Sequence, residues 1–230
     1  MSIVVVIAGA TGALGQAVTR SFLEDGAVVV ALYRDQARFD ALASSIDGPT
    51  GRLEGHRIDV TDIGSTRALI DEAVGRLSGI DALINTVGGY AGGAPVWELD
   101  RASLDQMLSL NLFSLHSLCR AVIPHMLRVG RGAIVNVSSK AAVAPPQGAS
   151  AYAASKAAGL ALMQSLAADL RGTGVRANSV VPNIIDTEAN RRASPKADPA
   201  RWTQPAAIAR VVRFLCGDDG KAVRGAAIAV

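Results

Sequence analysis

Residues 3–8 read Ile-Val-Val-Val-Ile-Ala and run without a break into Gly9-Ala10-Thr11-Gly12-Ala13-Leu14-Gly15. A short unbroken apolar run ended by glycine is the pattern of a strand buried on both faces. The small residues that follow let the chain turn tightly, bring backbone N–H groups close to an anion and open a helix whose dipole attracts negative charge. A tight strand-to-helix turn also needs glycine for its geometry alone. Placed after the first strand of a strand-helix-strand unit, the stretch reads as a phosphate turn for a dinucleotide.

Working outward, the alternation continues to the last residue. Strands are expected at 3–8, 27–33, 52–59, 81–87, 132–138, 175–181 and 222–230, and helices at 12–25, 36–45, 62–77, 101–129, 150–171 and 205–216. Strands alternating with helical segments predict an α/β fold, a Rossmann-type doubly wound parallel seven-stranded sheet with helices on both faces. Ser103 with Gln106 resembles a capping box, and Pro124 is expected to bend the long helix at 101–129. The segment 182–202 has no clear period and reads as a loop, of the length that often serves as a functional lid.

Composition limits the alternatives. The 230 residues suit one domain over 1–230 with a substantial core, and with half of them hydrophobic and 19% charged, disorder is excluded. The formal charge of +3 is spread along the chain with no basic tract, which argues against a nucleic-acid partner but permits an anionic small molecule. Cys119 and Cys216 lie far apart in apolar-rich stretches and read as reduced core residues, as in a cytoplasmic protein. The apolar opening is far too short to span a bilayer and has no basic segment before it, so neither a membrane nor a signal peptide is expected. His56, His116 and His125 show no ligand spacing, and no metal is assigned.

Tyr152 and Lys156 stand four apart in a predicted helix and therefore project from one face. An ammonium beside a phenol favours the phenolate and lowers its pKa toward the range useful for acid–base chemistry. Such a pair on its own also decorates solvated helix faces. Ser139, after the fifth strand, reads either as a turn residue or as a hydroxyl donor to a developing oxyanion. Asn111 reads either as a polar residue bonded to backbone or as part of the same site.

At the end of the second strand stand Tyr33 and Arg34, where a carboxylate would select the free ribose hydroxyl of NAD and an arginine would accommodate the extra phosphate of NADP. Arg34 thus favours NADP, with NAD possible, unless it is an ordinary surface arginine. Asp35 reads as the cap of the next helix. Asp59 and Val60 end the third strand, and Asn85, Thr86, Val87 and Gly88 end the fourth. Each also has a reading as a turn or cap residue, and their shared place at strand ends makes them one wall.

Along essentially its whole length the chain resembles the short-chain dehydrogenase/reductase family. The resemblance implies a catalytic tetrad of Asn111, Ser139, Tyr152 and Lys156, with Lys156 also bonding the nicotinamide ribose and Asn111 fixing a water behind Lys156. It implies that Asp59 contacts adenine and that Thr187 contacts the nicotinamide carboxamide. Pro182, Asn183 and Ile185 are expected beside that same end of the cofactor. The family's TGxxxGxG reads Ala8 to Gly15 with its glycines shifted, NNAG reads Asn85-Thr86-Val87-Gly88, and PG reads Pro182-Asn183. Around the nicotinamide, Tyr90, Val143, Pro145 and Gln147 would form a largely apolar substrate pocket with Asn183, Ile184, Ile185 and Asn190.

The expected activity is hydride transfer to or from a small carbonyl or alcohol, with Tyr152 as general acid or base and NADPH preferred. Three patches also resemble quinonoid dihydropteridine reductase: the glycine turn from Gly12 to Gly15, Gly88 to Gly93, and Asp186 to Arg191 with Asp198 and Trp202. Ser139 and Tyr33 depart from that enzyme's pattern, in which the serine is absent and an acid ends the second strand. A protein that only sensed dinucleotide would have no use for the full tetrad. The helices at 101–129 and 150–171 resemble those that build homotetramers and dimers in this family.

Overall fold

The computed structural model describes residues 2–46 and 50–230. Its seven strands are β1 (Val4–Ala8), β2 (Val28–Tyr33), β3 (Leu53–Arg57), β4 (Ala82–Asn85), β5 (Gly132–Val137), β6 (Val175–Val181) and β7 (Ala227–Ala229). They form one sheet in the order β3-β2-β1-β4-β5-β6-β7, and every pairing is parallel. The expected fold class is the observed one. The chain leaves β1 toward β2 and β3, then crosses back to lay β4 on the other side of β1. That reversal opens a crevice beyond the strands' carboxyl ends.

Alternation along the strands builds two cores. Val4, Val6 and Ala8 face a layer that includes Ile70 of α3 (Ile63–Leu77), Leu115, Leu118 and Val122 of α5 (Ser114–Val129) and Met163 of α6 (Ser150–Asp169). Val5 and Ile7 face Val18 and Phe22 of α1 (Ala13–Glu24) and Ile208, Val212 and Leu215 of α8 (Pro205–Cys216). Because β1 is buried from end to end, no polar residue interrupts it. Each fully buried Val or Ile contributes about 1.5–3 kcal/mol of transfer free energy. The edge strand β3 is only half-buried and carries Glu54, His56 and Arg57, polar and charged side chains that suit an unpaired edge.

Four expectations about elements are revised. The helix expected at 101–129 is α4 (Arg101–Leu108), a five-residue π-helical segment at Ser109–Phe113, and α5, which runs through Pro124 to Val129. The start of α4 is capped by Asp100, whose carboxylate accepts from the Ser103 N–H at 2.7 Å and the Ser103 hydroxyl at 2.9 Å. A carboxylate is a stronger acceptor than a hydroxyl, so Ser103 sits inside the helix as the donor and Gln106 is not part of the cap. The segment 182–202 contains α7 (Glu188–Ala193) and a single turn at Pro199–Arg201. Finally, β7 covers Ala227–Ala229 only, entered through Gly225 at φ 67°, where a single residue turns the chain onto the sheet.

Candidate active site

A cleft of about 390 Å³ opens where β1, β2, β3 and β4 end, between Gly9, Thr11 and Gly12 on one side and Thr86, Val87 and Gly88 on the other. Helix α1 begins directly beneath the glycine turn. A Cβ on Gly15 would lie 2.1 Å from the Gly9 carbonyl oxygen, so only glycine lets the helix start this close. No side chain caps α1, whose first-turn N–H groups are thereby left to the cleft. Backbone donors without side-chain competition, at the positive end of a helix dipole, fit a pyrophosphate.

The far end of the cleft is lined by Tyr33, Arg34, Asp35, Arg38, Asp59, Val60 and Thr61. Tyr33 is buried, with its ring stacked 4.4 Å from that of Phe39 and its hydroxyl donating to Gln36 Oε1 at 2.8 Å. Its side chain is therefore a braced wall. Asp59 accepts from the N–H of Thr61 at 3.0 Å and its hydroxyl at 2.8 Å, bonds that hold its carboxyl below the usual range with help from the charge of Arg34. Asp35 caps α2 (Gln36–Ser44) as expected, accepting from the Arg38 N–H at 3.2 Å.

Several cofactor candidates have other duties. Asn85 is buried, donates to Asn136 Oδ1 at 3.0 Å and accepts from the Val87 N–H at 3.2 Å, bracing the ends of β4 and β5 outside the cleft lining. The Thr86 hydroxyl donates to the Ala8 carbonyl at 2.8 Å and pins β4 to β1. Leu14 packs into the core below the turn, and Ala13 is exposed beside it. Among the described residues the cleft also gathers Ile58, Leu110 and Arg38, which were not expected. Arg38 carried a faint signal, four residues after Arg34.

Two of the catalytic candidates, Lys156 and Asn111, meet at Gly88 in the cleft wall. Lys156 of α6 is buried, and its Nζ donates to the Val137 carbonyl at the end of β5, 3.0 Å away. A Cβ on Gly88 would fall 2.9 Å from Lys156 Nζ and 2.8 Å from Asn111 Oδ1, which fixes both groups at the rim of the cleft. Asn111 sits in the π-helical segment. It clasps Gly89 through both the N–H and the carbonyl, each at 3.1 Å, and donates to Ser155 Oγ at 3.0 Å. Ser155 donates in turn to the Tyr152 carbonyl at 2.8 Å. The Asn111 amide thus braces the protein, and a π turn in a helix often marks such a functional position.

Electrostatics correct one expectation. Burial pushes the Tyr152 phenol above its ordinary value, while a hydrogen bond with the Ser139 hydroxyl pulls it the other way. Burial also lowers Lys156, to about 8. Desolvation penalises the charged form of each group. The lowering of Tyr152 therefore comes from Ser139 and is outweighed, whereas the sequence pointed to the ammonium. Ser139 also accepts from the Ala141 N–H at 3.2 Å, so it starts a turn and faces the phenol at once.

On the expected substrate side, Tyr90, Val143, Gln147, Asn183 and Ile184 are exposed. Tyr90 stands against Tyr152, their ring centres 5.0 Å apart. Pro182 accepts from the Lys140 N–H at 2.8 Å, which ties the segment after β6 to the Ser139 turn. Ile185 pairs with Thr203. Thr187 caps α7, and Asn190 donates to the Ile185 carbonyl at 2.8 Å, so both brace the segment. Asp186 holds Arg191 through two bonds of 2.6 and 2.7 Å and accepts from Gln204 at 2.8 Å, which draws its carboxyl down to about 2.

The chain belongs to the short chain dehydrogenase family, whose model matches residues 3–198, and it is an oxidoreductase of that family. It is 32% identical to D-threitol dehydrogenase of Mycolicibacterium smegmatis over 99% of this chain and 90% of that protein. Xylitol dehydrogenase solved with NAD⁺ superposes with a TM-score of 0.91 at 25% identity, over 99% of this chain and 97% of the other. ElxO solved with NADP has the same fold, with a TM-score of 0.94 at 22% identity over 100% and 97%. No helix among the described residues is long and apolar enough to cross a membrane.

Proposed function

We propose that this protein transfers a hydride between a nicotinamide dinucleotide, NADP(H) in preference to NAD(H), and a small carbonyl or alcohol. The observation that carries the reading is that Lys156 Nζ and Asn111 Oδ1 lie against Gly88, in the wall of a cleft whose outer end holds Arg34 and Arg38, with Tyr152 one helical turn before Lys156 on α6. Gly9, Thr11 and Gly12 would cradle the pyrophosphate, Asp59 and Val60 the adenine, and Pro182, Asn183, Ile185 and Thr187 would border the nicotinamide. Bound there, the dinucleotide supplies or accepts the hydride.

The protein's own groups manage the proton. In reduction, Tyr152 delivers its proton to the substrate oxygen, and a phenol held above its ordinary pKa keeps that proton until negative charge develops. The Ser139 hydroxyl donates to the same oxygen most strongly as that charge appears. Lys156 offsets the phenolate left behind, and Asn111 keeps Gly88, Gly89 and the start of α6 in register with it. Val143, Gln147, Asn183, Ile184 and Asn190 would border the substrate, with Tyr90 against Tyr152 at their edge.

The test is purified protein with NADPH and a panel of carbonyl compounds. Turnover should be found for at least one and should fall at least about 10²-fold in Tyr152→Phe, with cofactor affinity kept. Cofactor binding with no turnover would make the protein a sensor. Ser139→Ala separates the two enzyme readings. A carbonyl reductase should lose about 10²–10³-fold, the scale of one deleted oxyanion donor. A quinonoid dihydropterin spreads the incoming charge over ring nitrogens, and a reductase of that kind should lose less than about tenfold. The presence of Ser139, absent from the pattern of the pterin enzyme, favours the carbonyl reading.

A further inference from the structure

Tyr90 follows Gly88 and Gly89 and is 66% exposed, yet it is closely held. Asn111 clasps Gly89 on one side of it. On the other, the Gly93 N–H donates to the Gly148 carbonyl at 2.8 Å, tying the segment to the chain just ahead of α6. Between these anchors, Gly92 leaves room for the phenol: a Cβ there would lie 2.4 Å from Tyr90 Oη. The ring so placed meets Tyr152 edge-on, at 69° and 5.0 Å between centres. Burial of apolar area does not account for a ring that stays two-thirds exposed, whereas an edge-to-face contact with one particular neighbour does.

We propose that Tyr90 is a positioning residue for Tyr152, its ring holding the Tyr152 phenol in the orientation that meets Ser139 and the substrate oxygen. A tyrosine side chain swings about two bonds. Helix α6 fixes the root of Tyr152, and the ring of Tyr90 stands edge-on against it. The inference rests on the proposed function for its consequence, but the ring contact is observable without turnover.

The experiment compares Tyr90→Leu and Tyr90→Phe with the unmodified protein, using saturating NADPH and the smallest carbonyl compound it reduces. Tyr90→Leu should lower kcat about fivefold to tenfold, the rate equivalent of one edge-to-face contact, with KM within about twofold. Tyr90→Phe keeps the ring and should restore kcat to within about twofold. An effect confined to KM and growing with substrate size would make Tyr90 a pocket wall and overturn the proposal. The second readout is the NMR spectrum of ring-labelled tyrosine, made simple by a chain with three tyrosines. The Tyr152 ring signals, identified through Tyr152→Phe, should shift and average in Tyr90→Leu. If the unmodified protein reduces no carbonyl, the proposed function fails and this spectrum decides alone: displaced Tyr152 signals uphold the contact, and unmoved ones overturn it.

Discussion

Lys156 concentrates the cost of the site in one residue. Its value of about 8 in the folded protein, against 10.5 ordinarily, means that the unfolded chain binds this proton more tightly. Between those two values stability therefore rises with pH, and below about pH 8 the full cost of burying the charge is present. Lys156→Met should accordingly be more stable than the unmodified, cofactor-free protein at pH 7, by about 1–3 kcal/mol, while abolishing turnover. Denaturant titrations at pH 7 and pH 10 check this, since the advantage should shrink at the higher pH. Arg34 carries the second expectation at this scale. NADPH should bind more tightly than NADH, and Arg34→Ala should narrow the gap by about 1.5–3 kcal/mol, the worth of a hydrogen bond to a charged group. Calorimetric titration with both cofactors measures it, and equal affinities in the unmodified protein would remove the NADP assignment.

At the scale of elements, the segment after β6 is a small structured flap rather than an open loop. Its helix α7 is six residues long and is held by the Asp186–Arg191 pair, the Thr187 cap and the pairing of Ile185 with Thr203. A helix so short does not persist by propensity and depends on such local bonds. In Arg191→Ala, amide hydrogen exchange should accelerate on the order of tenfold across α7 and leave the sheet strands unchanged. The low value of Asp186 adds a sign. A depressed carboxyl loses its pairing only as pH falls through its folded value, so α7 should stay protected at pH 4 and open toward about 2. Protection of α7 unaffected by Arg191→Ala would show that the pair is incidental.

Across the whole molecule, α6 is apolar around nearly its full circumference, with Lys156, Leu160 and Met163 inward and Ala154, Ala161 and Ala168 exposed. A helix without a strongly polar face is normally covered on every side. Phe113, on the neighbouring π-helical segment, is 51% exposed. A homotetramer or dimer built on helices 101–129 and 150–171 would cover these surfaces. Ala161→Glu with Phe113→Asp should give a smaller species in sedimentation velocity while leaving the circular dichroism unchanged. An unmodified protein that sediments as a monomer would refute this assembly. Cys119 is buried and Cys216 partly so, and desolvation raises both thiols to about 12, so neither competes for the chemistry.

The sequence by itself determined the fold and pointed to the groups proposed to react. A strand covered on both sides must be apolar throughout, a helix starting beneath a turn must have Gly15 there, and Tyr152 and Lys156 four apart must share a face. Each is a local demand with a local signature. Tertiary structure alone decided which side chains were left free. Asn85 reaches Asn136 and Thr86 reaches Ala8 across 51 and 78 residues of chain, and no spacing reports such partners. The break in the helix at Ser109–Phe113, the cap at Asp100 and the contact of Tyr90 with Tyr152 were settled the same way. So was the reversal in what tunes Tyr152. Sequence spacing brought an ammonium near a phenol, but their pKa values answer to desolvation, and burial is set by everything the chain packs around them.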